Sequence, residues 1–333
     1  MFRTARIAPL HEQEGRGRRG RAILAALVLC AAFCGGCADM QQIPHASDDS
    51  PPANVFHFRD GGEAIFFAFV NGIDYAGRDP DTYVFAFSGS GCASMKYSLP
   101  RYFRGLEGDS GPIRIFVLHK RFIEEWTWGR IWGCSDAFVE ADHPSQWLAD
   151  YSEFIEAKLA ERRPRRVVLL GISEGAEVIP WLAQRVAGVT HVVLVASGGM
   201  DPLDAYRMQA EKHRSADDLN IVAAVERGAT DEEGNGAKRI GGRTWRYWLE
   251  LRELKPTERL LELTVPILVG MGEADSLMPI ETAWYVRDRF RELGKTNLTI
   301  LTYPGADHSL FVRDSRVFRM PDFLHAMDLW LMQ

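Results

Sequence analysis

From about residue 55 onward the apolar positions gather into short runs, at residues 83–87, 113–118, 167–170, 192–196, 267–269 and 298–303. Continuous rather than alternating runs are what strands covered on both faces require. Two further runs, 55–58 and 64–70, flank Asp60-Gly61-Gly62, a hairpin signal. Between the runs, apolar residues recur at helical spacing: Leu148, Tyr151, Phe154, Ile155 and Leu159, then Trp284, Val286 and Phe290, then Phe323, Met327 and Trp330. An opening hairpin followed by alternating strand and helix predicts an α/β fold, a mostly parallel, doubly wound sheet of about eight strands flanked by helices. The longest interruption spans about 198–263 and contains helix-like stretches, a charged glycine-containing loop at 228–242 and the aromatic stretch Trp245-Arg246-Tyr247-Trp248. Inserted after the sixth strand, it reads as a helical cap over the C-terminal edge of the sheet. No internal repeat and no second domain boundary interrupts 55–333.

The first 36 residues do not share this pattern. Arg16, Arg18, Arg19 and Arg21 precede an apolar run at 22–33 that is too short to span a bilayer. Basic residues, a short apolar stretch and then small residues make a secretory signal. The run closes on Phe33-Cys34-Gly35-Gly36-Cys37, which resembles the bacterial lipobox, in which small residues precede a cysteine that becomes lipidated and N-terminal; Cys34 stands where leucine is usual. The expectation is a signal peptide at 1–36 and a lipid on Cys37, with ordinary cleavage as the alternative. The residues after Arg18-Arg19 fit twin-arginine export poorly. Residues 37–54 are polar, carry Pro44, Pro51 and Pro52, and read as a tether. The expected location is the cell envelope, membrane-anchored on a periplasmic or outer-membrane face.

The 333 residues are 46% hydrophobic and 25% charged, an ordinary globular balance. Residues 1–36 hold six arginines against two glutamates, so their removal takes the net charge from −6 to −10. An acidic surface without a basic run repels phosphate backbones and disfavours nucleic-acid binding. Beyond residue 36 the cysteines are Cys37, Cys92 and Cys134. With Cys37 lipidated, an even pair remains in an oxidising compartment. Cys92 follows a glycine-rich loop and Cys134 follows the next strand, so a Cys92–Cys134 bridge is expected, with two separate buried thiols as the alternative.

The most informative segment is Val167-Val168-Leu169-Leu170-Gly171-Ile172-Ser173-Glu174-Gly175. It is an apolar strand running into G-x-S-x-G and then into a helix, the context of a nucleophile elbow. The turn is so tight that glycines two positions either side of Ser173 let the chain fold past it. A serine hydroxyl becomes a useful nucleophile only when a base takes its proton, and a histidine base needs a carboxylate to hold its tautomer. After the seventh strand comes Gly272-Glu273-Ala274-Asp275 with Pro279 beyond; after the eighth comes Gly305-Ala306-Asp307-His308-Ser309. Both segments lie past strand C-termini, on the edge that carries the elbow. Pro180, inside the helix expected after Ser173, should kink it. His119, His191 and His325 lack any such context and read as packing or surface residues.

With Ser173, Asp275 and His308 in this order, the chain resembles the α/β-hydrolase superfamily over about residues 55–333. The resemblance implies Ser173 as nucleophile, His308 as base and Asp275 as the orienting acid. Glu273, or Asp201 after the sixth strand, where the superfamily has an alternative acid, remain as substitutes. It also implies an oxyanion hole from the backbone N–H of Glu174 and that of Ser90, in the loop Phe87-Ser88-Gly89-Ser90-Gly91-Cys92. The His-Gly-Gly-Gly run of one lipase and esterase branch is missing, and no Lys-Ser or Lys-Thr follows the glycine-rich loop to make a P-loop. The cap resembles those of esterase, thioesterase and prolyl-oligopeptidase-like branches. Trp126, Trp128 and Trp132 either line an acyl pocket or pack beneath their loop. The implied activity is hydrolysis of a small-molecule acyl substrate, an ester, thioester or amide, without metal or cofactor. The rival from another class is a non-catalytic binding module on the same scaffold.

Overall fold

The computed structural model describes residues 50–71, 79–129, 133–227 and 239–333. Cys37 with the signal segment, Trp132 and most of the 228–242 loop lie outside them. Within them the strands in chain order are β1 (Asn54–His57), β2 (Glu63–Asn71), β3 (Thr82–Phe87), β4 (Ile113–Leu118), β5 (Arg166–Ile172), β6 (His191–Val195), β7 (Arg239–Ile240), β8 (Arg243–Thr244), β9 (Ile267–Gly272), β10 (Leu298–Tyr303), β11 (Phe311–Val312) and β12 (Val317–Phe318). Eight of these form one sheet in the order β1-β2-β4-β3-β5-β6-β9-β10. Pairings β1–β2 and β2–β4 are antiparallel and all the others parallel, so the expected α/β-hydrolase sheet is present. The first strand ends one residue early, because Phe58 already turns, its N–H bonding to Gly62 O at 2.9 Å.

The inner strands are covered on both faces, which is why they read as nearly continuous apolar runs. Along β3 and β5, Phe85 and Leu169 join one core with Tyr151, Phe154, Val269 and Phe290. The alternate residues Val84 and Val168 join the other with Phe323, Leu324 and Met327. Both sides are therefore dry, and every residue of β3 is buried. The helices are α1 (Asp136–Ala141), α2 (Pro144–Glu161), α3 (Ile179–Arg185), α4 (Pro202–His213), α5 (Ala216–Glu226), α6 (Trp245–Arg252), α7 (Pro256–Glu262), α8 (Glu281–Glu292) and α9 (Met320–Trp330). The periodic residues picked out in α2 face inward, and the ring of Tyr151 stacks on Phe87 at 4.0 Å between centroids.

The insertion between β6 and β9 is mainly helical, as expected: α4, α5, the short β7–β8 hairpin, α6 and α7. Its aromatic stretch packs into the core on one face of the sheet, Tyr247 edge-on to Trp147. Trp245, Tyr247 and Trp248 are buried, and Trp248 Nε1 donates to Ile240 O at 3.0 Å, tying α6 to the hairpin. One expectation fails. The segment after Ser173 is a single 3-10 turn, Ser173–Ala176, and the α-helix begins afresh at Ile179. Pro180 stands in the first turn of α3, where a missing N–H costs no hydrogen bond, so there is no continuous helix for it to kink.

Candidate active site

Strand β5 delivers Ser173 into a left-handed conformation, φ +53°, which side-chain-bearing residues adopt only when their surroundings enforce it. The enforcement comes from close packing. A Cβ on Gly171 would lie 2.3 Å from Ala176 Cα, and one on Gly175 would lie 2.5 Å from the carbonyl oxygens of both Phe87 and Ser88. A side chain at 175 would push the turn off the β3 loop and one at 171 would collide with the turn itself at Ala176, so the glycine spacing is a steric requirement. The turn leaves Ser173 half-exposed at the sheet's C-terminal edge.

The loops after β9 and β10 are knitted together by backbone bonds, Glu273 N to Tyr303 O (3.1 Å) and Ala274 N to Ala306 O (2.9 Å). This brings Asp275 and His308 into register. His308 Nδ1 lies 2.7 Å from Asp275 Oδ2, and His308 Nε2 lies 2.9 Å from Ser173 Oγ. The second oxygen of Asp275 accepts from the N–H groups of Leu277 (2.8 Å) and Met278 (2.9 Å), which fixes the rotation of the carboxylate. Burial disfavours an imidazolium here, but the charge and hydrogen bond of Asp275, with the charge of Asp307 behind it, outweigh that and hold His308 above its ordinary value. The substitutes for the acid are engaged elsewhere: Asp201 pairs with Lys255 at 3.3 Å, and Glu273, exposed, accepts from Thr302 Oγ1. His119 is buried and accepts from Met95 N, His191 packs its ring on Trp330, and His325 is exposed.

The β3 loop closes over the elbow, with a Cβ on Gly89 falling 3.0 Å from Ser173 Cβ. Ser90 follows at the exposed tip. The expected bridge is present: Cys92 and Cys134 are disulfide-bonded, Cα atoms 5.7 Å apart, 42 residues apart in sequence. It joins the Gly89–Ser90 loop to the segment leading into α1. Replacing both cysteines with serine should destabilise the fold by about 2–4 kcal/mol on the loop-closure model. It should also slow turnover by loosening the Ser90 loop; a variant that melts like the parent with unchanged kcat would show the bridge to be dispensable. Trp126 and Trp128 correct an expectation. They are 53% and 51% exposed and flank Tyr97 edge-on, so they do not pack beneath their loop. An open groove of about 440 Å³ beside Pro144, Leu148, Trp181 and Leu254 includes none of the three site residues, so it is not where the serine would act.

A model of the alpha/beta hydrolase family matches residues 67–320, from β2 to the start of α9. The chain belongs to that family. No curated protein matches this hydrolase-family sequence. Among solved structures it is similar to Est1E from Butyrivibrio proteoclasticus, with a TM-score of 0.55 and 12% identity over 84% of this chain and 98% of that one. It is also similar to the esterase domain of a Rhodothermus marinus protein, with a TM-score of 0.52 and 16% identity over 84% and 97%. A third likeness is to Pyrococcus horikoshii acylaminoacyl peptidase, with a TM-score of 0.55 and 16% identity, covering 84% of this chain and 41% of that one. At these identities the likeness is one of fold. Among the described residues, no group of histidine, cysteine and carboxylate side chains has a metal-binding arrangement.

Sequence reading missed what surrounds Glu174. Its side chain is buried and accepts from Arg243 Nη2 (2.8 Å) and Tyr247 OH (2.8 Å) on one oxygen and from Lys120 Nζ on the other. Lys120 also reaches Asp142 (2.8 Å), which accepts from Trp147 Nε1 (3.0 Å) and pairs with Arg243. Burial pulls Lys120 down to about 8 against the opposing charge of Glu174, and burial together with that charge pushes Glu177 well above the usual carboxylate range. These residues come from four separate stretches of chain with no fixed spacing.

Proposed function

We propose that this alpha/beta hydrolase is an exported serine hydrolase that cleaves an ester, thioester or amide through an acyl-enzyme. The observation that carries the reading is the continuous chain from Asp275 through His308 to Ser173. In it, Ser173 Oγ attacks the substrate carbonyl carbon as His308 Nε2 takes its proton. The carbonyl oxygen, now negative, is held by the backbone N–H groups of Glu174 and Ser90. Collapse breaks the bond to the leaving group, which departs with the proton from His308. Water then repeats the sequence on the acyl-enzyme, giving the acid and regenerating Ser173. An esterase domain and an acylaminoacyl peptidase among proteins of the same fold support both ester and amide as substrate classes. A non-catalytic binding module would leave this hydrogen-bonded chain and the strained serine without purpose.

A panel of acyl esters, thioesters and aminoacyl amides, assayed against the parent protein and Ser173→Ala, tests the reading. Turnover of at least one class by the parent and by none in the variant is expected. Equal rates in both would sink it.

Activity should also depend on pH in a defined direction. Only neutral imidazole accepts the serine proton, so kcat/KM should rise with pH as His308 deprotonates. Because Asp275 raises His308, the midpoint should lie above histidine's ordinary value of about 6.5. A profile flat between pH 5 and 8, taken as about 1.5 units either side of that value, would exclude a histidine base.

For location, the lipobox-like residues support a mature chain beginning at a diacylglyceryl-modified Cys37 and held to a membrane through the polar tether. Cys37→Ser should release the protein from membranes or block its processing. Intact mass spectrometry that finds another N-terminus and no lipid would count against the anchor.

A further inference from the structure

We propose that Arg243 and Tyr247 of the cap are positioning residues for the oxyanion site, acting through the Glu174 carboxylate to set the direction of the Glu174 backbone N–H. The inference rests on the acyl-enzyme reading and extends it to the inserted segment. Glu174 is the residue directly after the nucleophile, so its peptide N–H is the one that must meet the developing negative charge. Its main chain is already confined, with Ser173 at φ +53° on one side and Gly175 wedged on the Phe87 and Ser88 carbonyls on the other. The side chain adds a second anchor. Both carboxylate oxygens are occupied, one by two donors from the cap and the other by Lys120 from the end of β4.

The anchor is buried and closed on itself. Lys120, Asp142, Glu174 and Arg243 all have side chains no more than 7% exposed. Their charges balance, two cations against two carboxylates, and the neighbouring Glu177 is driven toward its neutral form. Lys120 lies 3.9 Å over the Trp147 ring and Arg243 4.5 Å over the Tyr247 ring, so both cations are also fixed from the side. In such surroundings each bond is strong, and a displaced partner would leave an unpaired buried charge. The cap therefore cannot swing away from the elbow without disturbing the residue that presents the oxyanion donor. Preorganised donors matter most in the transition state, so the network should act on turnover rather than on ground-state binding.

The test uses steady-state kinetics on the best substrate from the panel, with melting curves to establish folding and a boronic acid as a mimic of the tetrahedral state. Tyr247→Phe keeps the buried ring and removes one donor; kcat should fall about tenfold with KM within about twofold, and boronate affinity should fall by the same factor as kcat. Arg243→Met should lower kcat by about 10²-fold, with Arg243→Lys recovering part of the loss. If Arg243→Met does not fold, Tyr247→Phe and Arg243→Lys decide the matter. Folded variants with parental kcat, a loss confined to KM, or unchanged boronate affinity would overturn the proposal. Failure of the underlying serine reading looks different: Ser173→Ala would retain turnover whatever the cap variants do.

Discussion

Ser173→Ala is expected to lower kcat by about 10³-fold or more and to abolish labelling by a fluorophosphonate probe. The variant loses the Oγ that stands 2.9 Å from His308 Nε2 and gives up its proton to it. The oxyanion donors and the binding surface remain, so residual catalysis over water is expected rather than none. Folding should be unaffected or slightly improved. Alanine keeps the same Cβ, and the left-handed backbone is enforced by the close packing at Gly171 and Gly175 rather than by the hydroxyl. Labelling of the variant at the parental rate would mean another residue is the nucleophile.

Asp275→Asn is expected to lower kcat by about 10³- to 10⁴-fold with little change in melting temperature. The reason lies in the two oxygens of Asp275. Oδ1 accepts from the N–H groups of Leu277 and Met278, so an asparagine must put its carbonyl oxygen there. Its NH₂ then occupies the place of Oδ2, 2.7 Å from His308 Nδ1, and donates to it. Nδ1 becomes an acceptor, the ring proton moves to Nε2, and the nitrogen facing Ser173 can no longer take a proton. Geometry survives while the tautomer inverts. Removing the carboxylate also removes what holds His308 above its ordinary value, so the pH limb should shift downward. Near-parental kcat would show that another carboxylate orients the base.

Much of this was legible before any coordinates. The inner strands announced themselves because burial on both faces leaves little polar alternation, and Phe85 and Val84 serve opposite cores from adjacent positions. Ser173, Asp275 and His308 were legible because each sits in a loop whose local pattern reflects a steric need: glycines around the serine, a proline after the acid, a glycine-bearing turn before the base. The bridge was legible because few cysteines were available to make it. What stayed hidden depends on chain stretches meeting in space. Lys120, Asp142, Arg243 and Tyr247 read singly as ordinary surface or packing residues, and only their convergence on Glu174 gives them a common role. Pro180 misled because a helix was assumed to start at the elbow. Of the two readings offered for Trp126 and Trp128, packing beneath the loop fails, because aromatic content does not say which side of a loop faces solvent.

The insertion between β6 and β9 also bears on how such chains can diversify. These strands are parallel neighbours, Val192 beside Ile267, so the segment that joins them leaves past the C-terminal end of β6 and crosses back to begin β9 at the opposite edge of the sheet. Once a connection must cross between two fixed strand ends, its closure cost grows only slowly as it lengthens, which makes this a permissive place for growth or exchange of sequence. The ion cluster sets a limit on that freedom. A transplanted segment lacking counterparts of Arg243 and Tyr247 would bury the Glu174 carboxylate with Lys120 as its remaining partner, and it would have to bring a matching residue at position 174. Lineages that trade this segment should therefore trade the residue after the nucleophile with it, as a single heritable unit spanning some seventy positions of chain between Glu174 and Tyr247.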